Sequence, residues 1–339
     1  MTYLTGEVTV VHDWTRIDFN NFVYSAFRFN GVLGGATLVI NGASVTKVVG
    51  ITIDSVIDEN TTSIDEDLIL LGNPKPVFPG TFDGGVLNTF MDSKYSFLFD
   101  APLNHFMECP TSGGGAASPL NLTTSGTISV WVKPEGILAA DQNIIDRASG
   151  GGGTITAGYI IMWDPHFADD LWGFWLRLDG AGIVRIRSTV QAIAGEWRHI
   201  VGTFDSVTGE ANLFIDGILE TTSGPAHIGD FIVTPGGGTT MVIGCRHPTP
   251  SGEFNGNVDA ISIWDKALSQ EEIEEVFNGG SPGNLNTHSA VSNGISWWRM
   301  GENATWDGTN WTVEDEWGGI NAISDGMGYS TRVLDVPNI

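Results

Sequence analysis

The sequence predicts an all-β protein, and three observations carry that prediction. The 339 residues include 45 glycines, which is typical of a chain with many tight turns. Short runs rich in Val, Ile and Thr recur between turn residues, several with alternating apolar and polar side chains. Sustained helical periodicity is almost absent, so we expect little helix.

The first 90 residues are expected to form a small β domain. Strand-length runs occur there at 7–11, 36–40, 47–53 and 67–71. Asn41-Gly42 suits a type I′ turn and predicts a hairpin. Residues 73–85 contain three prolines and three glycines, which is typical of an extended connection, so we place the domain boundary in or just after this segment.

From residue 95 onward, strand-length segments recur with turn residues between them. They are 127–133, 159–163, 173–178, 183–188, 199–204, 211–215, 241–245 and 258–264. In 127–133, Ile128, Val130 and Val132 share one face and more polar residues share the other, which predicts a half-buried strand.

One short helix is predicted near 269–278. Ser269 stands at the N-cap position with Glu272 three residues later, which is the pattern of a capping box. Leu268 and Ile273 occupy the positions of a hydrophobic staple, and Gly279 can end the helix.

Several segments resemble, in order, the blocks of the laminin G-like, concanavalin A-like jelly-roll family. They are 96–110, 127–134, 195–205, 211–217 and 254–269. The resemblance implies a concanavalin A-like antiparallel β-sandwich spanning residues 95–280 within a domain of residues 91–339. This fold is used more often for recognition than for chemistry, so the resemblance implies a binding function.

The C-terminal stretch of residues 294–323 is similar to a segment that precedes the opening block in many relatives. Here it follows the predicted helix. We therefore expect it to fold back onto the sandwich as an edge strand, as in a circular permutation.

Charge and composition exclude several function classes. The formal charge of −25 repels phosphate backbones, which disfavours nucleic-acid binding. No apolar run approaches eighteen residues and the N-terminus lacks a basic and an apolar signal region, so membrane insertion and signal-peptide export are not expected. Cys109 and Cys245 lie far apart in sequence, and we favour two free, buried thiols over a disulfide.

Two aromatic segments are candidate sugar-binding platforms, because sugars bind exposed aromatic rings flanked by carboxylates or amides. The first is the segment after the strand at 159–163, with candidate residues Trp163, Asp164, His166, Asp169, Asp170 and Trp172. The alternative is that these aromatic side chains fill the sandwich core or a subunit contact. The second is the pair Trp306 and Trp311, which flanks Asp307.

Calcium is a candidate ligand, because it prefers carboxylate and carbonyl oxygens. Asp100 and Asp259 lie in the two blocks that the resemblance associates with cation binding or loop bracing. The alternative is that each carboxylate accepts backbone N–H bonds within a turn. The chain departs from the family pattern at Ala101 and His105, where glycine and aspartate are common.

No catalytic constellation is predicted. Glucanases of this fold use closely spaced carboxylates on one strand, and no convincing strand here carries them. Nucleophile-elbow and zinc-protease motifs are absent from the sequence, and its histidines are scattered singly. We therefore expect a protein that is not an enzyme.

By analogy with phage proteins that carry such domains, we expect a virion structural protein, for capsid decoration or tail association. Residues 1–90 would dock onto other virion proteins, and the sandwich would be displayed for surface or glycan binding and particle stabilisation, as part of a homo-oligomer. The alternative is a secreted bacterial carbohydrate-binding or adhesion protein. A glycosidase would require a carboxylate pair facing a cleft.

Overall fold

The computed structural model describes residues 93–110, 118–136, 142–151, 154–164, 170–236, 239–246 and 251–338, together with five short strands in the first 92 residues. The chain divides into two compact units, Met1–Asp92 and Ser93–Ile339. The first unit thus ends two residues after residue 90, the predicted end of the first domain.

The first unit contains two small parallel β arrangements. A three-stranded sheet joins β1 (Arg16–Asp18), β2 (Thr37–Ile40) and β3 (Thr62–Ile64), and a separate pair joins β4 (Leu68–Ile69) to β5 (Leu87–Asn88). The predicted hairpin at Asn41-Gly42 lies outside the described residues.

The second unit is a sandwich of two antiparallel sheets, which confirms the predicted fold class. The eight-stranded sheet contains β6 (Ser96–Phe99), β8 (Ser125–Pro134), β13 (Arg198–Asp205), β14 (Glu210–Ile215), β15 (Ile218–Thr222), β17 (Gly256–Trp264), β18 (Gly294–Trp298) and β22 (Arg332–Val333). Their order is β15-β14-β13-β8-β17-β6-β22, with β18 also paired to β17.

The facing sheet has nine strands. They are β7 (Phe106–Cys109), β9 (Gln142–Gly151), β10 (Thr154–Asp164), β11 (Leu171–Leu178), β12 (Gly182–Gln191), β16 (Met241–Ile243), β19 (Thr305–Trp306), β20 (Trp311–Val313) and β21 (Ala322–Asp325). The order is β12-β11-β10-β9-β16-β7-β21-β20-β19, so β12 and β19 form its two edges.

The main hydrophobic core lies between the two sheets. Alternate residues of each strand point inward, such as Ile128 and Val130 from β8 and Ile161 and Phe174 from β10 and β11, and all four are buried. Burial of this apolar surface is the main force holding the sheets together.

The α-helix of the described residues, α1 (Gln270–Phe277), covers the outer face of the eight-stranded sheet. The predicted capping box is confirmed, because the Ser269 side chain accepts from the Glu272 N–H and the Glu272 side chain accepts from the Ser269 N–H. Trp131 packs edge-on against Phe277 of this helix. The prediction that residues 127–133 form a half-buried strand is therefore wrong, since α1 buries the second face of β8.

Residues 294–323, which are expected to fold back, supply strands to both sheets. β18 pairs with β17 through Ile261↔Trp298 and Ser262↔Trp297. β21 pairs with β7 and extends the nine-stranded sheet through β20 to β19. The C-terminal segment is thus part of the sandwich.

Both cysteines are free and buried, as the sequence favours. Burial raises the pKa of Cys245 to about 12, so its thiol is protonated at neutral pH. Among the helices of the described part of the chain, none is long and apolar enough to cross a membrane.

Candidate functional site

The first predicted platform is wrong for its two tryptophans, because both are core residues. Trp163 and Trp172 are register partners on β10 and β11, and both are fully buried. Their ring centroids lie 6.3 Å apart. Trp163 shares its face of β10 with Tyr159 and Ile161, which also fill the core, so strand alternation turns it inward. Neither ring offers a surface to a sugar.

None of the other four candidate residues of that platform is placed at a binding surface by the described structure. Asp170 has a left-handed backbone, with φ of +50°, and its carbonyl accepts from the Ala192 N–H at 2.7 Å. His166, Asp169 and the Asp164 side chain lie outside the described residues, so their role stays a prediction.

The two predicted calcium ligands do not come together. Asp100 follows β6 beside Asn255, whereas Asp259 lies on β17 at the opposite end of the β6–β17 pairing. In the described segments, no group of three or more His, Cys, Asp or Glu side chains is placed to hold a metal ion. Oδ1 of Asp259 accepts from the Ala260 N–H at 2.7 Å, as the alternative interpretation expects.

Asp259 instead forms a buried carboxyl pair with Glu302, which the sequence did not reveal. The Ser93 hydroxyl lies 2.6 Å from Asp259 Oδ2 and 3.5 Å from Glu302 Oε1. Glu302 Oε1 also accepts from the N–H groups of Lys94 and Tyr95, at 2.6 and 3.0 Å. The pair therefore fastens the first residues of the sandwich to its C-terminal segment.

Burial governs the ionisation of this pair. Desolvation, followed by the charge of Glu302, raises the pKa of Asp259 well above the ordinary carboxyl range. Burial also raises the pKa of Glu302, although the Lys94 and Tyr95 N–H groups oppose the shift. Asp259 is fully buried, so this carboxyl group lacks the access to substrate that a glycosidase needs.

The second predicted platform is the surface at which the structure assembles aromatic rings. Trp306 and Trp311 are register partners of β19 and β20, with centroids 5.3 Å apart. Tyr329 stacks on Trp311 at 5.4 Å with an interplanar angle of 28°, and it meets Trp306 edge-on at 6.0 Å. Tyr329 is 67% exposed and Trp306 is partly exposed, whereas Trp311 is buried beneath them. We call these three residues the aromatic platform.

Polar groups border the aromatic platform. Oδ1 of Asp307 accepts from the N–H groups of Thr309 and Asn310, both at 2.7 Å. These bonds hold the pKa of Asp307 below its usual range, so its exposed carboxylate is ionised at neutral pH. The Arg332 guanidinium lies 5.7 Å from the Trp311 ring centroid, on the side toward Tyr95.

Sequence reasoning found Trp306, Trp311 and Asp307 but missed Tyr329. That residue lies eighteen positions after Trp311, beyond β21, and no local pattern links the two. The return of the chain along β21 brings them together, and the Trp311 indole N–H fixes the contact by donating to the Gly328 carbonyl at 3.1 Å.

The second unit is thus an antiparallel β-sandwich with a cluster of aromatic rings at one sheet edge. Residues 111–274, just under half of the chain, match the family model of the concanavalin A-like lectin/glucanases superfamily, of the laminin G type. The resemblance inferred from the sequence is confirmed.

Two relatives match part of this chain at low sequence identity. C-reactive protein 1.4 of Limulus polyphemus is 25% identical over 130 residues, covering 37% of this chain and 52% of that protein. C-reactive protein of Mus musculus is 28% identical over 131 residues, covering 35% and 56%. The chain therefore spans only about half the length of these relatives.

The crystal structure of a Bacteroides ovatus protein, which is assigned as carbohydrate-binding, superposes on this chain with a TM-score of 0.53 and 16% sequence identity. The superposition covers 76% of this chain and 63% of that one. At this identity the likeness shows the fold.

Proposed function

We propose that this chain is a saccharide-binding protein without enzymatic activity, and that its sandwich binds sugar rings on the aromatic platform. The observation that carries the proposal is the packing of the exposed Tyr329 and the partly exposed Trp306 over the buried Trp311, beside the ionised Asp307.

The chemistry of the aromatic platform fits a sugar. The C–H face of a pyranose ring is apolar and packs on aromatic faces, while its hydroxyl groups donate to carboxylates. Trp311 is held from below by an edge-on contact with Phe97 at 5.4 Å and by its bond to Gly328. A rigid platform loses little side-chain entropy on binding, which favours affinity.

The comparisons support this proposal at the level of fold and relatives. The Bacteroides ovatus protein is assigned as carbohydrate-binding, and the matching family model includes lectins. That family model also includes glucanases, but in the carboxyl pair of Asp259 and Glu302 the Asp259 side chain is fully buried and out of reach of a substrate. Binding is therefore the function that the geometry favours.

The experiment is a glycan array with the full chain, followed by calorimetry on the saccharides that bind. The double variant Trp306→Ala/Tyr329→Ala should bind about tenfold more weakly, because it removes two ring contacts. Phe231→Ala is the matched control, since Phe231 is an exposed ring elsewhere on the sandwich. Equal losses in both variants, or no loss in the double variant, would contradict the proposal.

We further propose that the chain is a virion component, displayed outward and docked to other virion proteins through residues 1–90. Particles from the source should carry the full chain, whereas a chain lacking residues 1–90 should be absent from them, as measured by mass spectrometry of purified particles. If no particle carries the full chain, the secreted adhesion protein becomes the leading alternative.

The expected homo-oligomer is tested separately, by analytical ultracentrifugation of the full chain.

A further inference from the structure

The outward face of the nine-stranded sheet carries a group of arginines at the edge opposite the aromatic platform. On β11, Trp172, Phe174 and Leu176 fill the core, so the intervening Gly173, Trp175 and Arg177 face outward. On β12, Val184 and Ile186 fill the core, so Arg185 and Arg187 face outward as well.

Strand register places these side chains side by side. Trp175 is the partner of Arg185, and Gly173 is the partner of Arg187. The Arg185 guanidinium lies 4.5 Å from the centroid of the Trp175 ring. Trp175 belongs to a small apolar cluster with Ile160 and Met162 of β10. An aromatic ring therefore lies among three cations on a solvent-facing sheet.

Two hydrogen-bond donors in this group have no acceptor among the described residues. Trp175 is 3% exposed, and its indole N–H lacks a hydrogen-bond partner in the described structure; the Arg177 Nε–H lacks one as well. A Cβ at Gly173 would lie 3.2 Å from Trp175 Nε1, which places the indole N–H over Gly173, the register partner of Arg187. A buried donor without an acceptor is costly, and beside three arginines on the outward face of the sheet an anionic ligand would supply that acceptor.

The chemistry of the group selects that acceptor. Arginine and indole donate hydrogen bonds and accept none, and guanidinium groups pair with carboxylate, sulfate and phosphate oxygens. The chain has only fifteen cationic side chains and a formal charge of −25, so a polyanion is repelled by the rest of the surface. Anion binding would therefore require a local site.

We propose that Trp175, Arg177, Arg185 and Arg187 form a second binding site, which holds the anionic group of an acidic saccharide. The exposed Arg185 side chain covers the indole, and its movement admits the ligand. That the ligand is a saccharide rests on the proposed function; that it is an anion rests on the donors themselves.

Calorimetry of the full chain with polygalacturonate, dextran sulfate and neutral dextran tests the site. Binding of polygalacturonate alone would assign a carboxylate, and binding of dextran sulfate alone a sulfate; either should weaken as salt is raised. Neutral dextran should not bind here. If neither polyanion binds, the proposal is overturned.

Two variants localise the binding. Trp175→Phe keeps an aromatic ring under Arg185 but removes the N–H together with the pyrrole part of the indole, and it should weaken polyanion binding about tenfold, as expected for the loss of a hydrogen bond to a charged group. Arg177→Gln/Arg185→Gln should weaken it by about a hundredfold. If the arginine variant fails to fold, Trp175→Phe alone decides, and unchanged affinity in that variant refutes the site.

Control variants separate this site from the aromatic platform. Arg198→Gln removes one positive charge from the other sheet, where Arg198 pairs with Glu196 and Asp216, and it should leave polyanion binding unchanged. Trp306→Ala/Tyr329→Ala should also leave it unchanged. Polyanion binding without neutral-saccharide binding would refute the aromatic platform and leave the arginine site standing.

Discussion

Two segments of similar composition, each with two tryptophans and nearby aspartates, have opposite roles in this molecule. Trp163 and Trp172, at the end of the β10–β11 hairpin, are fully buried in the core. In the β19–β20 hairpin, Trp306 is partly exposed and lies with the exposed Tyr329 over the buried Trp311. Aromatic composition alone therefore does not identify a binding surface in this fold.

The position of the strands explains the difference. β10 and β11 lie inside the nine-stranded sheet, with the eight-stranded sheet packed on their inward face. β19 is the outermost strand of the same sheet. An inward-facing ring at the edge is only partly covered, so the same alternation that buries Trp163 leaves Trp306 partly exposed.

The largest expected effect comes from truncating a core ring. Trp172→Ala should lower the free energy of unfolding by about 3–5 kcal/mol, because it leaves a cavity in a packed interior. Trp306→Ala should cost about 1 kcal/mol or less, because its ring is only partly buried. Urea denaturation measures both, and equal losses would contradict the assignment of one ring to the core and the other to the surface.

The fold was predictable from local patterns, whereas the site was only partly so. Alternation and turn residues indicated most central strands, and Ser269 with Glu272 indicated the helix start. The covering of β8 by α1 was missed, because it depends on a contact between Trp131 and Phe277, far apart in sequence. The carboxyl pair of Asp259 and Glu302 was missed for the same reason.

The two kinds of carboxyl group should differ in pH dependence. Native Asp259 and Glu302 have raised pKa values, so they retain protons that the unfolded chain releases as pH rises above the ordinary carboxyl range. The unfolded state then binds fewer protons, and stability falls as pH rises through this window. Asp259→Asn should reduce the fall in Tm between about pH 5 and about pH 8.

The exposed Asp307 is the control for that prediction. Its native pKa is lowered, so its contribution is lost only as pH falls through that value, below the tested window. Asp307→Asn should therefore keep the wild-type slope of Tm against pH. Burial lowers the pKa of His199 to about 3, so the unfolded chain binds a proton there that the native chain does not, and stability rises with pH up to about 6.5. This opposite trend is the same in the wild type, Asp259→Asn and Asp307→Asn. A wild-type slope in Asp259→Asn would contradict the coupling.

The smallest effect compares two indole N–H groups. The Trp172 N–H is buried with no hydrogen-bond partner in the described structure, whereas the Trp311 N–H donates to the Gly328 carbonyl. Replacement by phenylalanine removes ring volume at both positions, but at Trp172 it also removes an unsatisfied donor, which offsets about 1–3 kcal/mol of the loss. At Trp311 it breaks the hydrogen bond to Gly328, which is worth about 1 kcal/mol and also positions Tyr329.

Urea denaturation should therefore show Trp172→Phe to be less destabilising than Trp311→Phe, even though Trp172 is the more deeply buried ring. The reverse order would mean that core packing outweighs the unpaired N–H.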